Sequence, residues 1–240
     1  MEDNNFAVGI ITILALVILF LPMIIRVNKF RGSGYSTATG NNFFGTIGNK
    51  GLYGEYLIYG VLKNIDGCGS VIPNVYIPVE NSKYTEVDVI MVNETGIYVF
   101  ESKNYSGWIF GNERNKMWTQ VLGKRKNRFY NPILQNKRHI EAITDLIERF
   151  VDVQDLPVFS YIVFSERCEL KDITLYDKRI KVIKRNHLAK SVKMDTMKGE
   201  KRISDLQVTT ISNLLQSYSN VDASTKSQHI NNIKQNVRNT

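Results

Sequence analysis

Hydrophobic and polar positions divide the chain into an uncharged start, a polar connector and a long alternating region. Phe6–Ile25 carries no charge, and about 20 such residues span a hydrocarbon core of roughly 30 Å. Gly32–Gly51 is rich in glycine, serine, threonine and asparagine, which predicts a flexible tether over residues 28–50. Apolar residues then recur at helical and strand spacing over residues 51–218, enough chain for one core. Residues 219–240 are polar and predict a C-terminal tail.

The alternating region predicts helices and strands in mixed order. The predicted elements are a helix over Leu52–Leu62, strands over Val71–Val79, Val87–Val92, Ile97–Phe100, Trp108–Phe110 and Met117–Val121, a helix from Pro132 to about Phe150, strands over Val158–Phe164 and Ile180–Lys184, and a helix from Ser204 to about Tyr218. Asn131 before Pro132 is a strong helix start. This order indicates an α/β fold, in which a mixed β-sheet is flanked by helices and preceded by one transmembrane helix.

The charges around the apolar run predict a retained membrane anchor rather than a cleaved signal peptide. Acidic residues precede the run and basic residues follow it: Glu2 and Asp3 on one side, and Arg26, Lys29 and Arg31 on the other. The positive-inside tendency then places residues 1–5 outside, a transmembrane helix over residues 6–27, and the rest in the cytoplasm. We therefore expect a single-pass protein of the cell membrane.

Net charge and cysteine usage agree with a cytoplasmic domain. All 31 Lys and Arg lie from Arg26 onward, whereas two of the 23 acidic residues precede it, so the remainder carries a net charge of +10. A domain this basic suits nucleic acid or anionic lipid headgroups. The two cysteines, Cys68 and Cys168, are too few for a disulfide framework and lack zinc-site spacing.

The stretch Tyr84–Lys103 has the pattern of a β-hairpin that carries three charged residues. If its turn centres on Glu94 and Thr95, residues whose numbers sum to 189 lie directly across the ladder, which pairs Asp88 with Glu101. Lys103 then shares the face of Glu101, since strand side chains repeat every second residue.

Two readings of these charges stay open on spacing alone. Opposed carboxylates roughly 5 Å apart at Cβ weaken a sheet, and a bound divalent cation would reverse the sign of that interaction. The neighbouring lysine could then orient a water or stabilise a developing anion. Alternatively, the charges decorate a solvated hairpin end, where a surface ion pair contributes little.

Several motifs in fixed order resemble the nuclease-related domain (NERD) family. They are Gly51-x-x-Gly54-Glu55, Thr85-Glu86-Val87-Asp88, the run Gly96–Gly107 (GIYVFESKNYSG), Trp118, and Asn131-Pro132-x-x-Gln135. The resemblance covers about residues 48–150. It implies a restriction-endonuclease-like core of the PD-(D/E)xK type and a metal-dependent nuclease.

The resemblance also implies roles for the charged residues. Asp88 and Glu101 would hold Mg²⁺ or Mn²⁺, and Lys103 would be the catalytic lysine. The backbone carbonyl of Ser102 is expected to complete the set of metal ligands.

Two helical residues are implied as further members of the site. Glu55 would complete or orient the metal site, and Gln135 would reach the active centre. Val89 departs from the pattern, because family members often carry a histidine after the aspartate.

The leading functional hypothesis is phosphodiester hydrolysis of DNA or RNA, with a basic stretch as the binding surface. The candidate nucleic-acid-binding residues are Lys124, Arg125, Lys126, Arg128, Tyr130 and Arg138. Phe129, like Tyr130, could stack on exposed bases. The stretch is equally compatible with a solvated hairpin loop. Two other functions also remain open: a membrane-tethered module that binds nucleic acid without cutting it, and a scaffold that binds anionic lipid.

Overall fold

The computed structural model describes residues 2–67, 69–79, 83–153 and 155–219. The helices are α1 (Glu2–Gly32), α2 (Tyr35–Thr39), α3 (Phe43–Gly48), α4 (Lys50–Lys63), α5 (Pro132–Phe150), α6 (Leu188–Lys198) and α7 (Asp205–Ser217). The strands are β1 (Ser70–Val79), β2 (Lys83–Asn93), β3 (Gly96–Lys103), β4 (Gly107–Asn112), β5 (Met117–Leu122), β6 (Arg125–Tyr130), β7 (Val158–Phe164), β8 (Cys168–Thr174) and β9 (Ile180–Lys184).

A five-stranded mixed sheet with the order β1-β2-β3-β7-β9 forms the centre of the fold. β1, β2 and β3 are antiparallel neighbours, whereas β7 runs parallel to both β3 and β9. One face of the sheet packs against α4 and α6, and the other packs against α5 and α7. β3 is therefore covered on both faces, which explains its continuous apolar run Ile97–Phe100.

A second sheet, with the order β6-β5-β4-β8, continues directly from β3. Its inner face buries Trp118, whose ring stacks on Phe164 with centroids 6.3 Å apart. Gly111 makes this packing possible, because a Cβ there would lie 2.1 Å from the Trp118 ring. The two sheets thus share a core at the carboxyl end of β7.

The predicted mixed α/β fold is confirmed, and so is the hairpin register. The observed β2–β3 pairs run from Asn93 with Gly96 to Val89 with Phe100, and each pair sums to 189. The predicted helix start at Asn131 is also confirmed, since its side chain accepts the Ile133 N–H at 2.9 Å.

The structure differs from the prediction of a flexible tether over residues 28–50. This segment contains α2, α3 and the end of α1, and its aromatic residues pack on α4. Phe30 and Tyr35 are buried, and both rings contact Tyr56. The abundance of glycine and serine concealed these aromatic anchors.

Three other elements were not predicted: β6, β8 and α6. β6 is the basic stretch for which the sequence also allows a solvated hairpin loop. It pairs with β5 over its whole length, from Leu122 with Arg125 to Met117 with Tyr130. Its side chains are mostly exposed, so no apolar alternation marked it as a strand. The predicted tail lies outside the described residues, apart from Ser219, which bridges to Val75 of β1.

The first helix, α1, covers the predicted anchor at Phe6–Ile25. In the part of the chain that the structure describes, no helix has both the length and the apolar character needed for a membrane crossing. The predicted anchor is therefore not supported by this structure.

We expect Gly111→Ala to destabilise the chain by about 1–3 kcal/mol, because the added methyl overlaps the Trp118 ring. Gly60→Ala, on α4, is the matched control, because its Cβ would meet nothing within 4 Å. This substitution should raise the free energy of unfolding by about 0.5–1 kcal/mol. Urea unfolding of both variants measures these changes. Equal stabilities for the two variants would contradict the packing described.

Candidate active site

The candidate site lies at the carboxyl end of the central strand β3, where Glu101, Ser102 and Lys103 follow the buried apolar run. Alternation along the strand points Glu101 and Lys103 towards α5 and Ser102 towards α4. The contacts agree, since Lys103 reaches Gln135 on α5, and a Cβ on Gly54 of α4 would approach Ser102 Oγ to 2.6 Å. Helices from both faces of the sheet therefore meet the end of one strand.

Asp88 takes part through its side chain at the point where the β2–β3 ladder ends. The last backbone pair is Val89 with Phe100, and the Ser102 N–H then donates to Asp88 Oδ2 at 2.7 Å. Burial raises the pKa of Asp88 well above its usual range, and the charges of Glu101 and Glu55 add to the shift. The predicted pairing of Asp88 with Glu101 is therefore not part of the ladder, because the Asp88 side chain accepts the Ser102 N–H where the two strands stop pairing.

Glu101 and Lys103 form a tight ion pair. Lys103 Nζ lies 2.6 Å from Glu101 Oε1, and the glutamate is 1% exposed. Burial would raise the pKa of Glu101, but the charge of Lys103 and the nearby His139 ring, 3.2 Å away, bring it below its ordinary value. Burial would likewise lower the pKa of Lys103, yet Glu101 and Asp88 raise it, so the ammonium keeps its proton. Lys103 therefore faces the two carboxylates as a cation.

Asn131 sets the position of α5 over the strand end. Its side-chain oxygen caps the helix, and its amide Nδ2 donates to three carbonyls of the β4–β5 turn: Asn112, Glu113 and Asn115, at 3.3, 2.9 and 2.7 Å. The residue is fully buried. This clamp places the first turn of α5, and with it Gln135, whose Oε1 accepts from Lys103 Nζ at 3.1 Å.

His139 is a member of the cluster that the sequence analysis did not identify. Its Nε2 lies 3.2 Å from Glu101 Oε2, and its Nδ1 lies 2.8 Å from Thr85 Oγ1. It follows Gln135 by four residues and so occupies the same face of α5. That spacing was the available signal, because a helix that presents Gln135 to the site also presents His139.

Glu55 approaches from the opposite face, on α4. Gly54 allows this helix close to β3, because a side chain there would collide with Ser102. Glu55 is buried, and its Oε2 accepts from Asn74 Nδ2 at 3.0 Å. Burial and the charge of Glu86 raise the pKa of Glu55 to about 8.

Asn74 and Glu86 complete the surroundings of Glu55, and sequence reasoning assigned a role to neither. Asn74 Nδ2 also donates to Glu86 Oε1 at 3.1 Å, so one amide joins the two carboxylates. Tyr76 donates to the same Glu86 oxygen at 2.6 Å. Asn74 has a φ of 51° and is buried within β1, which marks it as an irregular position in the strand.

The donor set fits a hard divalent cation in its chemistry. Asp88 and Glu101 supply carboxylate oxygens, which hard divalent cations prefer. Ser102 follows Glu101 directly and donates its N–H to Asp88. Glu101 Oε2 is buried and, among the described residues, has no partner with hydrogen-bond geometry although His139 is near. No group of three or more His, Cys, Asp or Glu placed for metal binding occurs in the described ranges. The carboxylates of Asp88 and Glu101 are the oxygen donors at this strand end.

The candidate nucleic-acid-binding residues lie on the edge strand β6, just before it, and on α5. Lys124 precedes β6, and Arg125, Lys126, Arg128 and Tyr130 belong to this edge strand, whereas Arg138 is on α5. The Arg138 guanidinium lies 5.5 Å from the centre of the Tyr130 ring, which joins the two elements. Phe129 is partly buried and packs edge-on against Tyr105 and Trp118, which does not favour the expectation that it stacks on bases.

Comparisons with known proteins agree with this arrangement. The family model described as "Nuclease-related domain" matches residues 50–165, which include Glu55, Asp88, Glu101, Lys103 and Gln135. A Bacillus anthracis protein described as uncharacterized is 38% identical over 148 residues, which are 61% of this chain and 68% of that protein. No solved structure matches significantly. The chain belongs to the nuclease-related domain family.

Proposed function

We propose that the chain is a metal-dependent nuclease that hydrolyses phosphodiester bonds of DNA or RNA. The observation that carries the proposal is the meeting of Asp88, Glu101 and Lys103 with Gln135 at one strand end. Membership of a nuclease-related family supports a nuclease-like activity. Strongly perturbed carboxyl groups beside a fixed ammonium are also typical of functional sites.

Mg²⁺ or Mn²⁺ would be held by the carboxylates of Asp88 and Glu101 and the backbone carbonyl of Ser102. When bound, such an ion activates water and neutralises phosphate charge. The Ser102 N–H already fixes one oxygen of Asp88 at 2.7 Å. Glu55 would support the same site from the α4 side.

The chain's own residues would position the reactants. Lys103, as a permanent cation, would hold the attacking oxygen or the phosphate by charge-assisted hydrogen bonds. Gln135 fixes the lysine by accepting one of its N–H groups at 3.1 Å. His139 and Thr85 would hold the Glu101 carboxylate in place from the α5 side.

A second candidate is a family member that binds nucleic acid without cutting it. The observation in its favour is that the described residues offer no group of three or more metal-binding side chains. Lys103 also already neutralises Glu101 through the ion pair. The motif residues would then serve to hold α4, α5 and β3 together.

Membrane attachment with the domain on the cytoplasmic side is a separate proposal. The search of the described residues found no membrane span, so the proposal rests on the sequence. The supporting features are the uncharged run Phe6–Ile25 and the basic residues after it. Exposed apolar side chains along α1, from Leu14 to Ile25, are consistent with it. Alkaline carbonate washing of cell membranes tests the proposal: the chain stays in the pellet if it is embedded and is released if it is not.

We expect Asp88→Asn, Glu101→Gln and Lys103→Met each to lower cleavage by about 10²-fold or more, because each removes a metal ligand or the positioning cation. Glu148→Gln and Lys190→Met make the same chemical changes at exposed positions and should cut like wild type. Labelled single- and double-stranded DNA and RNA, incubated with Mg²⁺ or Mn²⁺, provide the assay.

Two results of this assay would decide against the nuclease. If the wild type cuts none of these substrates with either metal but binds them, the non-catalytic module is the better account. If it cuts and the three site variants cut equally well, the site is wrongly placed.

We expect His139→Ala to lower cleavage by about 10- to 100-fold, the usual cost of losing a partner that orients a metal ligand. Thr85→Val, which removes only the hydroxyl that contacts His139 Nδ1, should have a smaller effect in the same direction. Titrating the metal distinguishes the cause, because a loosened Glu101 raises the Mn²⁺ concentration needed for half-maximal rate. An unchanged metal requirement in His139→Ala would contradict this role.

A further inference from the structure

The outer face of the second sheet carries an exposed tryptophan. Trp108 on β4 is 50% exposed, whereas its neighbour Ile109 is fully buried in the core behind the sheet. Alternation along β4 places Phe110, which is half-buried, on the same outer face as Trp108. The opposite face holds Gly111 and Trp118. The sheet thus presents two aromatic rings to solvent two residues apart.

The strand register aligns each ring with a cation on the edge strand. Trp108 pairs with Val121, which pairs with Lys126. Phe110 pairs with Thr119, which in turn pairs with Arg128. Directly paired residues share a face, so each row has an aromatic ring on β4 and a cation on β6, roughly 10 Å away. Rows two residues apart are separated by roughly 7 Å.

A third cation lies on the other side of the tryptophan. Lys171 Nζ on β8 is 5.2 Å from the centre of the Trp108 ring, and it also pairs with Glu169 at 2.6 Å. Asp172 is an exposed acid on this same β8 edge. The positive side of the face is therefore the β6 edge, where Lys126 and Arg128 are exposed and basic residues continue from Lys124.

This face is close in the chain to the candidate active site. Trp108 follows Lys103 by five residues, and five residues span at most about 18 Å even when fully extended. Lys103 ends β3, and β4 begins at Gly107. The Cα atoms of Trp108 and Lys103 are therefore within about 18 Å of each other.

We propose that the outer face, defined by Trp108, Phe110, Lys126 and Arg128, binds single-stranded nucleic acid. Bases would stack on the two rings, while the cations on β6 contact phosphates. A four-stranded sheet with outward aromatic residues is a known way to bind unpaired bases, whereas a duplex keeps its bases stacked inside. The inference rests on the proposed function and narrows its substrate to single strands.

Tryptophan fluorescence of the full chain reports directly on this face. The chain has two tryptophans, and Trp118 is buried against Phe164, so an added ligand can reach only Trp108. The protein is kept in uncharged detergent with EDTA, so that binding is measured without cleavage. A 12-residue oligothymidylate should quench the exposed fluorescence, and a duplex of equal length should quench it much less.

Variants separate stacking from general attraction. Trp108→Ala should lose the quenching and bind the oligothymidylate about tenfold or more weakly, because stacking contributes about 1–3 kcal/mol per base. Phe150→Ala removes another exposed ring, at the end of α5, and should bind like wild type. A plot of the logarithm of the binding constant against the logarithm of the salt concentration should become shallower by about 0.7 in slope for each of Lys126→Ala and Arg128→Ala.

Three outcomes would overturn the proposal. The first is Trp108→Ala binding as tightly as wild type, and the second is a duplex that quenches as strongly as the single strand. The third is fluorescence that responds to micelles containing phosphatidylserine but not to the oligonucleotide, which assigns the face to lipid. Cleavage with Mg²⁺ is measured separately: binding without cleavage keeps this proposal and removes the nuclease, whereas cleavage without quenching does the reverse.

Discussion

The confinement of negative charge at the end of β3 is the constraint on which the rest of the structure depends. Asp88, Glu101 and Glu55 approach the same point from two strands and a helix, and the ammonium of Lys103 is the cation bound among them. Burial raises the pKa values of Asp88 and Glu55, and the neighbouring carboxylates add to both shifts, so ionising these groups opposes folding. A protein that keeps such a cluster carries a free-energy cost that a bound cation would relieve, as is common where function and stability compete.

The surrounding fold holds this cluster in place by contacts that bring backbone and side chains unusually close. Gly54 lets α4 approach β3, and Asn131 ties the start of α5 to the β4–β5 turn by three hydrogen bonds. Both residues stand in the ordered motifs through which the chain resembles the family, Gly51-x-x-Gly54-Glu55 and Asn131-Pro132-x-x-Gln135. Their role is to aim Glu55 and Gln135, so we infer that such motifs record helix placement as much as chemistry.

Much of this arrangement follows from the sequence, because local rules and the hairpin register point the same way. The turn at Glu94 predicted the pairing up to Val89 with Phe100, and the asparagine cap predicted the start of α5. The features that the sequence could not show depend on tertiary placement. The contact of His139 with Glu101 follows from how closely α5 packs on β3, and the position of Asn74 follows from an irregular backbone conformation within β1. The basic strand β6 escaped detection because an exposed edge strand needs no apolar alternation. Residues 28–50 have the composition of a tether, but their aromatic side chains pack on α4, which composition alone does not reveal.

Thermal unfolding of wild type and Asp88→Asn, with EDTA and with Mn²⁺, tests the central claim most directly. The asparagine can keep the hydrogen bond from the Ser102 N–H while removing an ionisable group whose pKa is raised by burial. Without metal, the account therefore predicts a higher melting temperature for Asp88→Asn than for wild type. Mn²⁺ should stabilise wild type, by about 2.7 kcal/mol at a hundred times its dissociation constant, and leave the variant nearly unchanged. A wild type that Mn²⁺ does not stabilise, or a variant that melts below wild type in EDTA, would contradict the claim that these carboxylates form a metal site.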